Sequence, residues 1–131
     1  MQKDIEIPKV EDVYISVVKE KNPTYNTEDW NAYIINDKMV PIETIIIVST
    51  GYNAQKITPT FRKTLEVLPA KSFAKIELMI EDLFALNNEF KVTFFQDNKL
   101  YDKTFLFKQN TISEKSLRPI PLMSTKGVLA T

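Results

Sequence analysis

Ser72-Phe73-Ala74-Lys75 carries the S-x-x-K spacing, in which a serine at a helix start is activated by a lysine one turn later. The surrounding run SFAKIEL alternates as a strand does, and a strand sends positions three apart to opposite faces. An exposed strand serine and lysine are therefore expected, not an acyl-transfer pair. Glu77, Glu81 and Asp82 follow closely, and paired carboxylates are the machinery of glycoside hydrolysis. That chemistry also needs a sugar cleft and a carboxyl of raised pKa. Acids at the start of a helical turn, complementing its dipole, account for Glu81 and Asp82 without it.

Asp97, Asn98 and Asp102 offer oxygen ligands to a hard cation. The spacing lacks the glycine and closing glutamate of a calcium loop, so a solvated hairpin turn is expected. Arg62, Lys63, Lys71 and Lys75, with Phe61 and Phe73 among them, form the densest basic stretch. Cations interleaved with aromatic rings suit single-stranded RNA, through phosphate contact and base stacking. Glu66 and Glu77 dilute this patch, and alternation turns both rings toward the core. Trp30, Tyr14 and Tyr33 suit a ligand pocket, but sandwich cores ordinarily hold such rings.

Composition removes more chemistry than these motifs supply. The chain of 131 residues has no Cys and no His, which excludes disulfides, thiolate zinc sites and imidazole-based nucleophilic catalysis. Its two glycines, Gly51 and Gly127, stand far apart, whereas phosphate-cradling loops need several together. Seventeen basic residues balance seventeen acidic ones, so no global field draws the chain to nucleic acid or anionic lipid. The opening MQKDIEIPKVED lacks the features of a signal peptide, and no apolar run approaches a membrane span. A cytoplasmic protein is expected, without a catalytic set, a cofactor, a metal or a membrane partner.

The elements that position these residues are strands. Phe90 to Lys108 reads as two strands joined by the polar turn Gln96-Asp97-Asn98-Lys99. Phe90, Val92 and Phe94 share one face, and Phe105 and Phe107 share a face of the return strand. Five large apolar side chains on one ribbon require a second layer to cover them. Further strands are expected at Val13–Lys19, Asp29–Asn36, Glu43–Thr50, Phe61–Leu68 and Ser72–Leu78. The unbroken Ile45-Ile46-Ile47-Val48 run predicts burial on both faces. Phe61, Lys63, Leu65 and Val67 should share one face, and Phe73 should point inward with Ile76 or Leu78. Met79 to Leu86 changes to helical spacing and predicts one short helix.

The expected fold is mostly β: an antiparallel immunoglobulin-like sandwich of about seven strands spanning residues 13–109, with a partly open barrel as its rival. Residues 1–12 are expected as a flexible arm and residues 110–131 as an extended segment. That segment carries Leu117, Ile120, Leu122, Met123, Val128 and Leu129, with Pro119 and Pro121 holding it extended. So much apolar surface must either lie across the sandwich and complete the core or dock on a partner chain.

The runs VYISVVKE, DWNAYIIND, LPAKSFAKIELMIEDLFALNNEFKVTFFQDNKLYDKTFLFK and LRPIPLMSTKGVL resemble a family of small bacterial β-sandwich proteins, over nearly the whole chain from Val13. Some members of that family go by the name of a phenylalanyl-tRNA synthetase alpha subunit. That activity needs Gly-rich and Arg-bearing ATP motifs on a far longer core, and two isolated glycines do not supply them. Val13–Val18, Ile34–Asn36, Leu68–Pro69 and Glu81–Leu86 are similar, more distantly, to the sandwich domain that accompanies Smr nuclease-type domains. This second resemblance implies a fold and no nuclease residues, because no Smr segment is present.

The function expected is non-catalytic protein interaction, with a protein partner or self-association. It would act through a sheet edge or through Leu117, Ile120, Leu122, Met123, Val128 and Leu129. The alternative is an RNA-associated accessory domain using Arg62, Lys63, Lys71 and Lys75.

Overall fold

The computed structural model describes residues 8–131. The expected N-terminal arm falls outside the described residues for its first seven positions, and Val10 beyond them is buried in the core. Eight strands follow: β1 (Val13–Asn22), β2 (Thr27–Asn36), β3 (Ile42–Tyr52), β4 (Phe61–Leu68), β5 (Ser72–Met79), β6 (Asn87–Gln96), β7 (Lys99–Phe107) and β8 (Gly127–Leu129). They form two four-stranded antiparallel sheets, ordered β5-β2-β1-β8 and β4-β3-β6-β7. Labelled as an immunoglobulin domain, β1, β2 and β5 are strands A, B and E of one sheet. Strands β4, β3, β6 and β7 are then C′, C, F and G of the other, and β8 is an addition beside A. The fold is the immunoglobulin-like sandwich the sequence implied, with eight strands in place of about seven.

The hairpin β6–β7 pairs Gln96 with Lys99 across Asp97 and Asn98, both at positive φ (51° and 62°). Two left-handed residues in a two-residue loop match the right-handed twist of the flanking strands, and Asp and Asn tolerate that conformation. Phe90, Val92, Phe94, Phe105 and Phe107 are all buried. They meet Ile15, Val17, Ala32 and Ile34 of the opposite sheet in one core cluster. Strands β1 and β2 run past the expected Lys19 and Asp29 to a tight turn at Asn22–Thr27. There the Asn22 side chain accepts the Thr24 and Tyr25 amides at 3.0 and 3.3 Å. The helical corner is a single 3-10 turn, Glu81–Ala85.

Three facial assignments differ from expectation. Ile45 and Ile47 are buried, but Ile46 and Val48 are only half-buried. Among the described residues no second layer covers the outer face of β3, whose cross-strand neighbours there are Thr64, Lys91 and Thr93. On β4, Phe61, Lys63 and Leu65 share the inner face as expected, but Leu68 replaces Val67 there. Ile42 pairs with Leu68, both buried, and Val67 is 53% exposed. On β5, Phe73 and Leu78 point outward at 44% and 53% exposure, while Ile76 and Met79 are buried. The cause is a bulge: the β2–β5 register shifts between Ala32 and Tyr33, so Ile76 has no opposite number and alternation restarts one residue late.

The C-terminal segment folds back on the domain. Arg118 and Gly127 exchange backbone hydrogen bonds, both 2.9 Å, closing a loop. That loop lays Ile120 and Met123 against Val18 and Ile35 on the outer face of the first sheet. Beyond it, β8 pairs with β1, and Thr131 exchanges backbone hydrogen bonds of 3.0 and 3.1 Å with Leu106 on β7. The β1 edge is thus covered along β8, and the β7 edge is bonded at Leu106. The outer edges of β4 and β5 have no neighbouring strand in the described residues, and a short turn joins these two strands.

Candidate functional site

Strand β4 runs into that turn and β5 runs out of it, so Phe61 and Met79 lie at the ends of the two strands far from the turn. A cleft of about 120 Å³ opens between them there. Ser49, Phe61, Glu77, Met79, Leu83 and Phe90 are among the residues that line it. The bulge on β5 creates this site. It brings Glu77 opposite Ala32, an inner-face residue, so that the carboxylate points between the sheets.

Ser49 Oγ donates to Glu77 Oε2 at 2.8 Å, linking the inner faces of the two sheets. Burial pushes the Glu77 carboxyl above its ordinary pKa, and the serine hydrogen bond offsets part of that shift. No basic residue lies within ion-pairing distance of Glu77 among the described residues. Lys63, two residues from Phe61 on the same face, makes no pair with it. The rest of the cleft is fixed in place. Asn88 donates to the carbonyls of Leu83 and Leu86 at 2.8 and 3.1 Å, pinning the 3-10 turn over one end. Gly51 N donates to Thr58 Oγ1 at 2.9 Å and holds the β3–β4 loop beside the opening. The arrangement offers one carboxylate, several hydroxyls and two aromatic rings in a space far below the roughly 300–1,000 Å³ of drug-sized pockets.

Glu77 was legible as an acid near the corner, but its supposed companions are not with it. Glu81 and Asp82 are exposed in the 3-10 turn. Ser49 had no sequence signal. The basic residues are dispersed: Arg62 lies opposite Val48 on the outer face of the second sheet, and Lys75 opposite Tyr33 on the outer face of the first. Lys63 lies inward opposite Ile47, and Lys71 pairs with Asp37 at 2.9 Å. They share no single surface. Ser72 Oγ donates to the Pro69 carbonyl at 2.6 Å. Of the C-terminal residues, Ile120 is buried, Leu117, Met123 and Val128 are half-buried, and Leu122 and Leu129 are 41% and 39% exposed.

The described residues contain no group of three or more acidic side chains placed to hold a metal, and no helix long and apolar enough to cross a membrane. Fold and cleft define an immunoglobulin-like domain with a small acidic recess between two open edges. No family model, curated protein or solved structure matches the chain.

Proposed function

We propose that this chain is a non-catalytic interaction domain of the cytoplasm that binds an extended protein segment along the outer edge of β5. The observation that carries this reading is the asymmetry of the edges. The chain's own C-terminal segment covers β1 along β8 and bonds β7 at Leu106, while the β5 edge has no neighbouring strand among the described residues. An open edge presents backbone donors and acceptors to an added strand, and side chains beside it set specificity. Phe73 and Leu78 stand outward on β5 itself, 44% and 53% exposed. The edge of β4 also lacks a neighbouring strand in the described residues, and each of these two edges carries one inward charge, Lys63 on β4 and Glu77 on β5.

The RNA alternative has no comparable support, since Arg62 and Lys75 face away from each other on opposite sides of the sandwich. The test is selection of peptides from a displayed library of extended sequences, followed by amide exchange on the complexes. Protection confined to Ser72–Met79, with binding weakened at least tenfold in Phe73→Lys and Leu78→Lys, is the expected result. Protection elsewhere, or full binding by both variants, overturns the reading.

A further inference from the structure

We infer that the cleft beside Glu77 is a subsite for an alkylammonium or guanidinium group, such as the end of a lysine or arginine side chain. Three features converge. First, Glu77 is a half-buried carboxylate with a single hydrogen-bond donor, Ser49, and no counter-ion within ion-pairing distance among the described residues. A carboxylate held away from water and unpaired is destabilised, and an entering cation relieves that penalty. Second, Glu77 is the only ionisable residue lining the cleft among the described residues, and the hydroxyl oxygen of Ser49 can accept a further hydrogen bond. Third, Phe61, 40% exposed, borders the same space, and aromatic rings attract cations.

Size selects the ligand. At about 120 Å³ the cleft lies well below the roughly 300–1,000 Å³ of drug-sized pockets, a space suited to a charged tip and the methylenes behind it. The cleft opens between the β4 and β5 edges, so a segment lying along β5 can place one inward side chain into it. Only the source of the cation rests on the interaction-domain reading; the chemistry of the cleft does not.

The experiment is a titration of the intact chain followed by NMR. The probes are n-butylammonium chloride, 1-pentanol as its neutral counterpart, and a strand-length peptide carrying one lysine or a norleucine in its place. Saturable shifts of the Ser49, Gly51 and Glu77 amides with n-butylammonium, absent with 1-pentanol and at least tenfold weaker in Glu77→Gln, support the inference. Tighter binding by the lysine peptide than by its norleucine twin assigns the cation to a partner segment. Binding of the amine with no gain from the peptide supports the subsite and counts against the interaction reading. If neither amine nor lysine peptide saturates these shifts, or if Glu77→Gln responds like the wild type, the inference is overturned.

Discussion

Gly127 lies so close to Ser16 that a β-carbon on it would stand 2.5 Å from Ser16 Oγ, with Val18 Cγ1 at 2.9 Å and Ile120 Cδ1 at 3.0 Å. Glycine serves here for close approach of two strands, since no positive φ is involved. Ser16 is fully buried and donates to the Val128 carbonyl at 3.1 Å, so it cannot swing aside without losing its partner. Gly127→Ala should cost about 1–3 kcal/mol, the range of overpacked core positions. Thermal unfolding followed by circular dichroism should show the loss as a fall in Tm of several degrees. Adding Ser16→Ala, which removes the nearest atom, should recover part of it.

A chain ending after Gln109 should lose its cooperative transition or unfold at much lower denaturant. Truncation removes Ile112 and Ile120, which are 5% and 7% exposed, and uncovers Val18 and Ile35 on the first sheet. Each buried isoleucine contributes roughly 1.5–3 kcal/mol. Two of them amount to a large part of the roughly 5–15 kcal/mol available to a domain of ordinary stability. Urea denaturation of both chains measures this directly. An unchanged midpoint would mean that the segment sits on the sandwich without supporting it.

Asn36 ties two turns together. Its buried side-chain amide donates to the carbonyls of Val40, Leu68 and Pro69 at 3.0, 3.2 and 3.0 Å, joining the β2–β3 and β4–β5 connections. Asn36→Ala leaves those carbonyls short of donors and should cost about 2–3 kcal/mol, in line with unsatisfied buried groups. Asn22→Ala removes a similar amide from an exposed turn and should cost less. Chemical denaturation of the two variants side by side checks the order.

The hairpin of β6 and β7 was readable from sequence because it is local: Asp97-Asn98 sets the turn, and alternation sets the buried face. The inward aim of Glu77 was not readable. It depends on how β5 registers against β2, with Ala32 opposite Glu77 across 45 positions of sequence, and a bulge leaves no mark in the sequence of the bulged strand. That same shift turned Phe73 and Leu78 outward against simple alternation. Strand β8 was missed for a different reason. Three residues are too few to show a period, and only the neighbouring β1 defines them as a strand. Ser49 sits in a run dominated by isoleucine, and only the facing sheet shows that its hydroxyl has a carboxylate to meet.

Glu77 also gives a signed dependence on pH. Burial raises its folded pKa above the unfolded value of 4.5. Between those two values the folded state therefore holds more protons than the unfolded state. Stability accordingly falls as pH rises through this window and stays at the lower level above it. Glu77→Gln keeps an oxygen that can accept from Ser49 and removes the charge. The variant should be more stable than the wild type at pH 7, and the difference should shrink as pH falls to 4.5 and below. Urea midpoints of both proteins across that range are the measurement. A wild type that is the more stable at pH 7 would mean that the carboxylate already has a compensating cation.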